Sequence, residues 1–87
     1  MKYIMRIHST ADGWLYFEPP VYLLTWNPAT GGVVLTGELS AAHQFLTINA
    51  VFDTWKFVDQ SRPFRPDGEY NRPLTAFNME PVPHVPQ

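Results

Sequence analysis

The sequence predicts a small α+β domain, an antiparallel sheet of four to five strands packed against one main helix. Three observations carry that expectation. Short β-branched and aromatic runs alternate with clusters of Gly, Pro, Asn and Asp up to Thr36. A single later segment, Ile48 to Val58, spaces its apolar residues at helical intervals. The chain has 87 residues, 45% of them hydrophobic and 15% aromatic, which suffices for one core and is too short for two.

Lys2 to His8 alternates, with Tyr3, Met5 and Ile7 on one side and Lys2, Arg6 and His8 on the other, and reads as a half-buried strand. Asp12-Gly13 signals a tight two-residue hairpin turn, and Trp14 to Phe17 pairs back on the first strand. Pro19-Pro20 is expected to stop that ladder, because neither residue can donate a backbone hydrogen. Val21 to Trp26 is a further strand, ending in the turn-rich Asn27 to Gly32, and Val33 to Thr36 resumes the meander.

After Gly37 the period changes. Ser40 to Gln44 fits one helical turn, and Thr47 caps a helix whose Ile48, Val51, Phe52, Trp55 and Val58 form one apolar stripe. Asn49, Asp53, Lys56 and Asp59 lie away from that stripe. Pro63 forces the helix to end near Gln60. Leu74 to Met79 is expected as the last strand. Residues 1–80 are read as one domain and 81–87 as a flexible, proline-rich, extended tail.

A formal charge of −2 and a pI near 5.8 supply no basic footprint for phosphate backbones, so nucleic acid is not the expected partner. The chain contains no cysteine, which excludes disulfides, thiolate catalysis and cysteine metal sites and fits a reducing, cytoplasmic setting. The amino-terminal apolar run is interrupted by Arg6 and His8 and is too short for a membrane span or a signal-peptide core. His8, His43 and His84 are isolated, without metal-ligand spacing, and the serines lack a nucleophile-elbow context. No catalytic residue, metal site or cofactor is therefore expected.

The segment Arg62 to Arg72 stands apart. It holds half of the six basic residues, and Arg62, Arg65 and Arg72 are each followed by proline. Proline stiffens the backbone there, and Asp67-Gly68 turns it at its middle. One reading is a connector from helix to last strand, its arginines paired with Asp59, Asp67 or Glu69. The other is a recognition loop, in which Arg62, Phe64, Arg65, Tyr70 and Arg72 combine residue types enriched at interface hot spots with a low ordering cost. Trp14 and Tyr16 of the first hairpin form a second candidate surface, since both sides of that hairpin carry bulk.

YLLTWNPATGG, AAHQFLTINAVFDTW and RPDGEYNRPLTAFNMEPV together resemble short uncharacterised accessory proteins of phages, prophages and other mobile elements. In those chains a strand and turn precede an A-x-x-F step, here Ala42 to Phe45, then a helix and a final strand. The resemblance spans residues 22–82 and brings no catalytic residues with it. It implies a non-enzymatic accessory protein that binds a host protein, with inhibitors of bacterial defence as one such class. The alternative function is structural: a homo-oligomer or small particle component joined through a sheet edge or an aromatic face.

Overall fold

In the computed structural model, which describes residues 1–84, the first expected strand runs on as β1 (Lys2–Thr10). Alternation buries Met5 and Ile7 fully toward the core and leaves Arg6 and His8 half-buried on the opposite face. β1 turns into β2 (Tyr16–Asn27) through Ala11 to Leu15, a longer loop than the expected two residues. Asp12 holds that loop: its Oδ1 accepts from Thr10 Oγ1 (2.7 Å) and from Trp14 N (3.0 Å), while Gly13 adopts φ +74°.

Pro19-Pro20 does not end the strand as expected. β2 continues past it, pairing Tyr16 with Ser9 and Val21 with Ile7, so Phe17 to Pro20 bulge out opposite His8 alone. A bulge is where a strand can hold residues that cannot donate to the ladder. β3 (Gly32–Thr36) completes the meander, and with β4 (Phe77–His84) the four antiparallel strands stand in the order β3-β2-β1-β4.

The last strand, β4 (Phe77–His84), is displaced from its expected position. Pro73–Ala76 forms a 3-10 turn instead, with proline at its start and Leu74 fully buried. At the other end β4 takes in Pro81 to His84, which were expected in the flexible tail, and pairs His84 with Lys2. Residues 85–87 of that tail lie outside the described residues.

The β1 backbone explains how a proline-rich segment can pair. Tyr3 spends its N–H and C=O on Phe45 (2.8 and 2.7 Å), on the side away from β4. Pro83 opposite Tyr3, and Pro81 opposite Met5, therefore owe β1 no donor. Both missing N–H groups fall on the outer edge.

α1 (Ile48–Trp55) begins where expected, with Thr47 Oγ1 accepting from Ala50 N at 3.0 Å, but stops short of Gln60. Its apolar stripe is only partly buried. Val51 is fully enclosed and half-buried Trp55 donates Nε1–H to Phe77 O (3.2 Å), whereas Ile48 and Phe52 remain 45% and 39% exposed. Val51, Leu74 and Phe45 pack with Met5, Ile7 and Leu23 as the core between helix and sheet. Trp26 stacks on Phe45 (centroids 5.8 Å apart), which places the A-x-x-F step at the core rather than on the surface.

Candidate functional site

Arg62 to Arg72 is a folded hairpin rather than an open connector. Asn71 N donates to Pro63 O (2.9 Å), Arg65 N to Glu69 O (2.8 Å) and Gly68 N to Arg65 O (2.9 Å). The sequence dictates this turn. Pro66 presets its own φ, Asp67 Oδ1 accepts from Glu69 N (3.0 Å), and Gly68 takes φ +86°, where a side chain is disfavoured.

The hairpin presents one aromatic pair. Phe64 and Tyr70 sit opposite each other as an antiparallel bridge, with rings stacked 5.3 Å apart at 25°. They are nonetheless 60% and 52% exposed. The Arg72 guanidinium carbon lies 5.4 Å from the Tyr70 centroid, a cation–π distance. Phe64, Tyr70 and Arg72 thus form one continuous surface. Among the described residues the arginines are little engaged with acids: Arg65 Nε reaches Asp67 Oδ1 only at 4.0 Å, and neither Arg62 nor Arg72 has a carboxylate within ion-pair distance. The ion pairs expected of a plain connector are largely missing.

Asp59 fixes the base of the hairpin. It is buried beyond the end of α1, which corrects its expected place on the helix's polar side. Its Oδ1 accepts from Ser61 Oγ (2.6 Å), Ser61 N (2.9 Å) and Arg62 N (3.3 Å), and its Oδ2 from Asn71 Nδ2 (3.4 Å). Its own N–H donates to Asn71 O (2.9 Å), so both ends of the excursion converge on one residue. The Ser61 hydroxyl, then the Ser61 and Arg62 amides and the Arg62 charge, hold this carboxyl below its ordinary value, against an opposing effect of burial. Gln60 N donates to Pro28 O (2.8 Å), and Gly31, at φ +75°, leaves room for the Asp59 carboxylate. The hairpin is therefore anchored to the β2–β3 turn.

Trp14 and Tyr16 are not brought to this site. They flank the β1–β2 turn at the opposite end of β2, 89% and 71% exposed, as a separate aromatic patch. Phe64, Tyr70 and Arg72 are the predicted site residues that the fold brings into contact, while Arg62 and Arg65 share the hairpin with them.

The fold also builds a feature that sequence reasoning did not single out. A groove of about 570 Å³ is lined by Arg6, His8, Tyr16, Phe17, Glu18 and Pro20. Glu80 of β4 contacts two of these residues, its Oε1 lying 3.5 Å from Arg6 Nη1 and 3.2 Å from His8 Nε2. The i, i+2 spacing of Arg6 and His8 on a strand was the available signal, but the bulge that shapes the wall was not legible. Glu80 Oε1 thus sits between the Arg6 guanidinium and the His8 imidazole. Among the described residues no group of three His, Asp or Glu is placed to hold a metal ion, and no helix is long and apolar enough to cross a membrane.

Comparison with protein-family models, curated proteins and solved structures returns no match for this chain.

Proposed function

We propose that this chain acts by binding another protein through the Arg62–Arg72 hairpin, without a cofactor and without catalysing a reaction. The carrying observation is a pre-folded turn that holds two aromatic rings and an arginine together at the surface. Such an element gains affinity cheaply, because little conformational freedom remains to be lost on docking. Aromatic and arginine side chains are also those on which interface energies concentrate. The Asp59 anchor supports the same reading, since it keeps the base of the hairpin rigid while its tip contributes nothing to the core. The wider setting proposed with it, a cytoplasmic accessory protein of a phage or prophage acting on a host factor such as a defence component, rests on the sequence resemblance alone.

The test is affinity capture from nuclease-treated lysate of the source host, comparing the wild-type chain with the Arg62→Ala/Arg65→Ala/Arg72→Ala variant. A stoichiometric protein that is captured by the first and lost by the second is the expected result. A partner that is retained by the variant, or lost only with Trp14→Ala/Tyr16→Ala, refutes the assignment to this hairpin.

A further inference from the structure

The two edges of the sheet are treated differently. β4 is blunted against strand addition by Glu80, Pro81 and Pro83, with both proline nitrogens facing outward. β3 reads GVVLT, with neither proline nor charge, and Val34 on it is 49% exposed. Among the described residues, the backbone of Val33 to Leu35 bonds to β2 alone, so alternate N–H and C=O groups along it point outward without a partner.

We propose that the β3 edge is the dimerisation surface of this protein, and that a second copy of the chain pairs with it antiparallel about a two-fold axis at Val34. The register follows from the strand itself. Centred on Val34, it sets Val33 opposite the second copy's Leu35, Val34 opposite its counterpart, and Gly32 opposite Thr36. Val33 and Leu35 pack against the core, so each pair joins like face to like face and continues the core layer across the axis. Whichever alternate set of amides points outward, this register satisfies it. If Val34 faces out, it exchanges both bonds with its counterpart; if Val33 and Leu35 face out, they exchange bonds with each other. The product is one eight-stranded sheet with both helices on the same face and no open β3 edge, and the only edges left are the proline-blunted β4 strands.

The absence of cysteine makes the test direct. Val34→Cys places a single thiol on the proposed axis, where opposed Cβ atoms of a strand pair approach to about 4.5–5.5 Å. Mild oxidation is expected to convert most of this variant to a covalent dimer, while Asp53→Cys on the exposed side of α1 stays monomeric. Light scattering over a concentration series is expected to show dimer for the wild type and a dissociation constant at least about 10-fold higher for Val34→Lys, a charge at the edge being enough to block pairing. Circular dichroism controls for folding of the lysine variant. A wild type that is monomeric at every concentration overturns the proposal. So does a dimer that is indifferent to Val34→Lys, or a Val34→Cys variant that crosslinks no better than Asp53→Cys.

Discussion

Gly31→Ala isolates the contact that ties the Arg62–Arg72 hairpin to the sheet. Gly31 sits at φ +75°, and an added Cβ would overlap the Asp59 carboxylate, 2.5 Å from its Cγ. Two costs combine. The left-handed backbone alone costs a non-glycine residue about 1–3 kcal/mol. The overlap then forces Asp59 to give way, and Asp59 is not a free side chain, since its carboxylate is held by Ser61, Arg62 and Asn71. Gly68 provides the internal reference, because it has φ +86° but open space where its Cβ would go. Gly68→Ala therefore bears the backbone cost only. For a domain of this size each kcal/mol lowers the melting temperature by about 4–8 °C, so Gly31→Ala is expected to melt well below Gly68→Ala, by about 5 °C or more. A thermal-melt cycle with Asp59→Ala identifies the cause. With the carboxylate gone, the further loss caused by Gly31→Ala should fall close to that of Gly68→Ala, only the 3.1 Å approach to the Asp59 Cβ remaining. Strict additivity of Gly31→Ala and Asp59→Ala would show that the overlap is not what Gly31 relieves.

The acid limb of the stability curve should report the same anchor. The Asp59 carboxyl is lowered in the folded state, chiefly by the Ser61 hydroxyl, so its stabilisation is present above the ordinary carboxylate range of about pH 4 and is lost as pH falls through the lowered value. Asp59→Asn is expected to flatten that limb in pH-dependent melts, and an unchanged slope would count against the anchor. Trp55→Ala removes a half-buried indole and its bond to Phe77 O, and should cost about 2–4 kcal/mol by denaturant titration, towards the lower part of the range for aromatic truncation because the ring is not fully enclosed. Phe52→Ala, on the exposed part of the same stripe, should cost under about 1.5 kcal/mol; a cost equal to that of Trp55→Ala would mean that the helix packs by its whole stripe.

Legibility followed the range of the physics. Turn chemistry is local, so Asp12-Gly13 and Asp67-Gly68 announced their turns, and Thr47 announced its cap. The α+β architecture with four antiparallel strands follows from those signals and from one helical period. What could not be read depends on partners distant in the chain. Pro81 and Pro83 look like a tail until Tyr3 is known to spend its hydrogen bonds on Phe45. Pro19-Pro20 looks like a terminator until the bulge opposite His8 is seen. Asp59 reads as helix surface by period, yet the helix ends first and delivers it to the base of the hairpin. The turn of the Arg62–Arg72 segment was legible because proline and glycine rigidify a segment from within it. The stacking of Phe64 on Tyr70 was not, and neither was the separation of Trp14 and Tyr16 from them.

The most direct measurement pairs stability with binding in Phe64→Ala/Tyr70→Ala. Exposed stacked rings add only about 0.5–1.5 kcal/mol to folding, whereas two hot-spot truncations at about 2 kcal/mol each cost binding roughly 10²–10³-fold. The expected result is a melting temperature within about 10 °C of wild type, with affinity for the captured partner lost by that factor. Full binding by a variant that has lost the stacked pair, or a collapse of the fold with it, would make the hairpin a structural connector after all.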